Sequence, residues 1–201
     1  MKSFFYLFKD SAGELKKISC LTITGVFIAI SMLIETFTIE IPYAKINFAF
    51  LAIAVIGMLF GPTVSFIAGG LCDIVGFLVH PQGGFLPLYV LIGMLQGLIY
   101  GICLYRKSPW MMKRAEKKGA NAAIYICAVI ARLLDVAIIN LMLNTKANMH
   151  YGFIPNTAFW EAVAARFVKN AVELAADIPL LFIMLPFALL IYRRAFLKSA
   201  V

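Results

Sequence analysis

Residues 159–192 read FWEAVAARFVKNAVELAADIPLLFIMLPFALLIY, and Arg193 and Arg194 follow at once. A transmembrane helix needs about 20 apolar residues, so this block is long enough to raise the question of two helices. The charges on either side decide it. Lysine and arginine gather in the N-terminal arm, in the connection carrying Arg106, Lys107, Lys113, Arg114, Lys117 and Lys118, and in the tail with Arg193, Arg194 and Lys198. The connections around Lys45, Pro81 and Lys146 are nearly free of them. Basic connections stay in the cytoplasm. Two helices in the last block would carry the tail outside, so it reads as one long helix, bent at Pro179 and Pro186.

Working outward, five more apolar blocks precede it, at about 18–39, 48–60, 63–79, 85–105 and 121–144. The third is rich in glycine (Gly69, Gly70, Gly76), and His80-Pro81-Gln82-Gly83-Gly84 breaks the helix after it. The expectation is an all-α integral membrane protein: six spans, both termini cytoplasmic, one transmembrane domain over residues 1–201. Apolar residues make up 63% of the chain and charged residues 14%. Soluble domains carry about half apolar and about a quarter charged residues, and the spans leave no room for a separate soluble domain. The net charge of +8 would suit nucleic acid, but its alternating placement follows the membrane rule instead.

Other features are bland. Cys20, Cys72, Cys103 and Cys127 lie far apart, with no metal-binding spacing, and read as buried thiols. The first block is too long for a signal-peptide core and no small-residue cleavage site follows it. The arm before it mixes Lys, Asp and Glu with Phe4, Phe5, Leu7 and Phe8, as a short amphipathic helix on the inner surface would.

Charged groups inside apolar blocks are costly and need a partner, a cavity or a function. Arg132, Asn140 and Asn144 recur on one face of the fifth block, and Asp135 is three residues from Arg132, within pairing reach. Arg166, Asn170, Glu173 and Asp177 stripe the sixth, with Lys169 beside them; Asp73 and Gln96 lie in the third and fourth. For Asp135, Glu173 and Asp177 the leading reading is helix–helix pairing. For Arg166, Asn170 and Asn144 it is a ligand cavity in the outer half of the bundle. An arginine there suits an anion, because its fork holds a carboxylate at two points. In the first block Gly25-Val26-Phe27-Ile28-Ala29 is a small-xxx-small pattern that lets another helix approach closely.

There is no Walker A sequence, HExxH or GxSxG. The chain has no recognisable device for hydrolysing ATP, and an enzyme reading would rest on Asp73, His80, Glu173 or Asp177 converging. A stand-alone channel or ion-coupled carrier is a further alternative.

Several segments resemble one family: Lys45-Ile46-Asn47-Phe48-Ala49-Phe50, Gly57-Met58-Leu59-Phe60-Gly61-Pro62, Gly69-Gly70-Leu71-Cys72-Asp73, Gly97-Leu98-Ile99-Tyr100-Gly101 with Leu104-Tyr105-Arg106-Lys107, and Arg166-Phe167-Val168-Lys169-Asn170. These resemble, in order and spacing, the substrate-binding S components of energy-coupling factor (ECF) vitamin transporters, and within them the folate-specific branch. The resemblance implies six helices with cytoplasmic ends and a vitamin pocket facing outside. It also implies docking of Gly25 and Ala29 of the first helix on a membrane coupling subunit. Two partner ATPases would use ATP, and this chain itself would bind no cofactor. Pro81-Gln82-Gly83-Gly84 and Ala164-Ala165 depart from the family pattern near the pocket and leave room for a different vitamin. For folate, Phe48, Phe85, Tyr89 and Trp160 are candidate walls for the pterin, and Lys45, Arg166 and Lys169 candidate partners for the glutamate tail. The expected binding set is completed by Asn47, Asp73, Gln82, Asn144 and Asn170.

Overall fold

The computed structural model describes residues 2–36, 39–41, 44–46, 48–79, 81, 84–155 and 159–197, and the side chains of 5–34, 48–79, 81, 84–155 and 159–196. Helix α1 (Lys2–Glu14) leads into α2 (Ile18–Thr36), then a two-stranded antiparallel hairpin of β1 (Ile39–Ile41) and β2 (Ala44–Ile46) pairs Glu40 with Lys45. Helices α3 (Phe50–Phe60), α4 (Pro62–Val79) and α5 (Pro87–Leu104) follow, and α6 (Pro109–Lys118) crosses the basic connection. Helix α7 (Ala120–Leu134) continues through a π-helical stretch, Asp135–Leu143, into α8 (Asn144–His150). Helix α9 runs unbroken over Phe159–Tyr192 with Pro179 and Pro186 inside it, and ends in a π-helical Arg193–Leu197.

Among the described residues, four continuous helices are long and apolar enough to cross a membrane: Pro62–Val79, Pro87–Leu104, Ala120–His150 and Phe159–Phe196. A fifth span is reached if Phe5–Glu14 and Ile18–Ile34, which meet at 88°, count as one. Helix α3 falls within the expected block at 48–60 and is short for a span. It has 11 residues, about 16 Å at 1.5 Å per residue, and every one of them is buried. It is a core helix wrapped by its neighbours, which explains why its sequence is apolar on all sides.

Glycine sets the helix spacing. Helices α4 and α5 form the most extensive pair. A Cβ on Gly69 would lie 2.1 Å from the Gly93 carbonyl oxygen, and one on Gly97 would lie 1.9 Å from that of Ser65. Only hydrogen at these positions permits such backbone contact. The α3–α4 corner turns at Gly61, whose φ of 88° favours glycine.

That corner also fixes α1. Ser11 Oγ accepts from the amides of Thr63 (3.0 Å) and Val64 (3.3 Å), capping α4, and donates to the Phe60 carbonyl at 2.7 Å. Thr63 Oγ1 donates to the Phe8 carbonyl at 3.1 Å. Lys107, just beyond α5, reaches Glu14 at 2.6 Å and Asp10 at 3.3 Å, and the Tyr105 hydroxyl donates to Asp10. Burial opposes the charge on Glu14, but hydrogen bonds and attraction from Lys107 and Lys17 prevail and hold its carboxyl below the usual range. Burial likewise opposes charge on Lys107, and Glu14 and Asp10 prevail to raise it. Phe5 and Tyr6 stay exposed on α1, as an interfacial helix requires.

Candidate ligand cavity

The half of the bundle away from the basic connections encloses a cavity of about 280 Å³. Several helices line it: Ser31 from α2, Phe50 and Ile53 from α3, Gly69, Cys72 and Asp73 from α4, and Gly93 and Gln96 from α5. Arg132, Asn140, Lys169 and Glu173 complete it from α7, the π-helical stretch and α9. The glycines that bring α4 against α5 thus also make room here, since Gly69 and Gly93 line the space.

Arg132 organises its floor. Its Nη1 lies 2.5 Å from Asp135 Oδ2, while Nε and Nη2 reach Asp177 Oδ2 at 3.0 and 2.5 Å. The guanidinium sits 4.1 Å from the centroid of the Phe50 ring, which stacks in turn on Tyr100. Gln96 Nε2 donates to both Asp135 oxygens at 3.1 and 3.3 Å, and the Tyr100 hydroxyl donates to Oδ2 at 3.3 Å. A charge this deep is tolerable because two carboxylates accept from it and a cation–π contact adds to them. The leading sequence reading of Asp135 and Asp177, helix pairing, describes what they do.

Lys169 and Glu173 form an ion pair at 3.3 Å, one turn apart on α9. They leave the cavity wall with a cation and a carboxylate that a polar ligand can compete for. Ser31 Oγ, which donates to the Ile28 carbonyl at 2.7 Å, also lies 3.4 Å from Cys72 Sγ.

Of the residues expected from sequence, Asp73 and Lys169 line this cavity. Others do not. Asn144 donates to Asn140 Oδ1 at 3.3 Å, and Asn170 spends its amide on the Arg166 carbonyl at 2.8 Å. Tyr89 donates to Asn148 at 2.6 Å and stacks on Tyr151. Phe85 packs on Phe77, Trp160 on Phe159, and Phe48 against the core. By register, Tyr89, Asn144 and Arg166 fall one turn outward from Gly93, Asn140 and Lys169–Asn170. Asn47, Gln82 and the side chain of Lys45 lie outside the described residues. In the sequence Gln96, Arg132, Asn140 and Glu173 are intramembrane polar groups without a pocket assignment, and nothing in it marks Ser31. Asn144 shares a face with Asn140, to which it hydrogen-bonds, but lies one turn further out.

Residues 19–186 match the family described as ECF transporter, substrate-specific component. The chain belongs to this family. Among curated relatives of this S component, the folate transporter FolT of Clostridium novyi is 28% identical over 120 residues, 59% of this chain and 66% of that protein. FolT of Streptococcus mutans is 38% identical over 66 residues, 32% of this chain and 36% of that protein. The matched stretches thus span less than two thirds of both relatives. The fold match reaches further. A crystal structure of FolT bound with folic acid superposes with a TM-score of 0.64 at 26% identity, covering 83% of this chain and 91% of that one.

Proposed function

We propose that this S component binds folate in the cavity and delivers it through an ECF-type importer. The observation that carries this reading is the similarity to the folic acid-bound FolT over 91% of that chain. The cavity chemistry supports it. A pterin presents adjacent N–H donors on one edge, which complement a carboxylate or amide acceptor such as Asp73, Gln96 or Asn140. Its flat ring fits between the α4–α5 glycines and Phe50. The glutamate tail points outward, where Lys169 and, one turn further, Arg166 supply positive charge. Tyr89, Phe85, Asn144, Asn170 and Trp160, with Phe48, form the outer approach.

In the proposed topology six helical segments form one transmembrane domain over residues 1–201, α3 being the short one, with both ends in the cytoplasm of a bacterial cell. Two partner ATPases supply the energy through a membrane coupling subunit. Helix α2 is the docking face. Gly25, Val26, Ala29, Ile30 and Leu33 are all exposed along one side of it, and a Cβ on Gly25 would meet nothing within 4 Å. The test is calorimetric titration of the purified chain with folic acid, with thiamine and riboflavin in parallel. Saturable one-to-one binding of folic acid alone is expected. Binding of another vitamin in its place would reassign the substrate while keeping the class.

A further inference from the structure

At the basic end of the bundle a second cavity, of about 220 Å³, opens between α6 and the ends of α5, α7 and α9. Its inner wall is apolar, with Leu104, Met111, Ile124 and Leu189. Its rim carries Arg106 and Arg193. Arg106 is held in place, because its Nε donates to the Leu59 carbonyl at 3.1 Å and its guanidinium lies 5.0 Å from the centroid of the Tyr192 ring. That geometry leaves the two terminal nitrogens for another acceptor. Arg193 is exposed, and among the described residues no carboxylate is paired with either arginine.

The helix that roofs this cavity is built for the membrane surface. Helix α6 starts with Ser108 accepting from the Met111 amide at 3.2 Å and with Pro109 in its first turn. Its last turn carries Lys117 and Lys118. Met111 is buried against the bundle, while Met112 is exposed. A basic amphipathic helix of this kind lies in the headgroup layer. An apolar slot that opens beside it, rimmed by two arginines, has the two halves of one ligand: a hydrocarbon tail and an anionic head.

We propose that this cavity binds one anionic glycerophospholipid, its acyl chain against Leu104, Ile124 and Leu189 and its phosphate between Arg106 and Arg193. Guanidinium groups recognise phosphate oxygens at two points, and basic pockets between membrane helices collect anionic headgroups. The site is separate from the folate cavity and does not depend on that assignment.

Native mass spectrometry of the purified chain, offered equal phosphatidylglycerol and phosphatidylcholine, tests this. The parent is expected to retain one phosphatidylglycerol in preference to phosphatidylcholine. Arg193→Gln, an exposed change that leaves the fold alone, should lower that retention at least several-fold. Ala115→Phe, which fills the slot without altering charge, should do the same. Lys117→Gln removes an equal charge outside the cavity and should retain the lipid as the parent does, and water-soluble glycerol 3-phosphate should not compete. Equal retention of both lipids by the parent would overturn the proposal. So would unchanged retention in Arg193→Gln, an equal loss in Lys117→Gln, or displacement by glycerol 3-phosphate. If Ala115→Phe fails to fold, Arg193→Gln against Lys117→Gln still decides.

Discussion

Arg132 on α7 holds Asp177 on α9 through two nitrogens, Nε at 3.0 Å and Nη2 at 2.5 Å from the same carboxylate oxygen. With Asp135 on its other side, this guanidinium ties the fifth and sixth apolar blocks together below the ligand cavity. The contact is structural first, and it shapes the cavity second. Both partners are buried, so neither is free to accept a ligand without giving up the other.

Removing one partner leaves the arginine under-compensated. Asp177→Ala is expected to lower stability by about 3 kcal/mol, the usual loss when a buried pair is broken from one side. Thermal unfolding in detergent, followed by loss of helical circular dichroism, measures it. A melting temperature equal to the parent's would mean the pair contributes nothing to holding α7 against α9.

Glycine substitutions should divide into two groups. A Cβ at Gly97 would sit 1.9 Å from the Ser65 carbonyl oxygen, so Gly97→Ala should destabilise by about 1–3 kcal/mol through overpacking. Gly25 faces open space, so Gly25→Leu should melt like the parent and bind ligand like it. Its defect should appear only when the coupling subunit is co-expressed, as reduced co-purification. Normal co-purification of Gly25→Leu and Ala29→Leu would remove α2 as the docking face.

The α1 knot predicts a pH window. Glu14 and Asp10 have carboxyls held below their ordinary values of 4.5 and 3.8. Groups lowered in the folded state stabilise above the unfolded value and lose that contribution as pH falls through the folded one. Lys107 is raised above 10.5, so its contribution is complete below that pH and is lost as pH climbs through the folded value. The knot is therefore fully formed between about pH 4.5 and 10.5. Melting temperature against pH for the parent and for Glu14→Gln checks this. The parent should lose stability below the acid limit more steeply than the variant; parallel curves would show that the ion pairs do not hold α1.

Much of this was legible in the sequence. The long last block with its arginine flank reads as one helix, and α9 is one helix. The mixed opening segment reads as a surface helix, and α1 lies at 88° to α2. Arg132 and Asp135, three residues apart, read as a pair and form one. The short second block at 48–60 reads as a span, and α3 lies within it; an all-round apolar run signals burial whether the neighbours are lipid or protein. The cavity was half legible. Intramembrane polarity pointed to Asp73 and Lys169, but no pattern marks Ser31, which reaches the cavity only through tertiary packing. Depth along the helix separates Asn140, which lines the space, from Asn144, which hydrogen-bonds to it from one turn further out.

The central claim is that the cavity between α4, α5, α7 and α9 holds folate. The most direct measurement is calorimetric titration of folic acid into the parent and into Asp73→Asn and Lys169→Ala, all reconstituted in lipid nanodiscs and shown to be folded by their melting curves. The account predicts saturable one-to-one binding by the parent, weakened about tenfold or more in each variant, as losing a charge-assisted contact of about 1.5 kcal/mol or more would give. Folic acid binding of parental strength in both variants, or none in the folded parent, would contradict it.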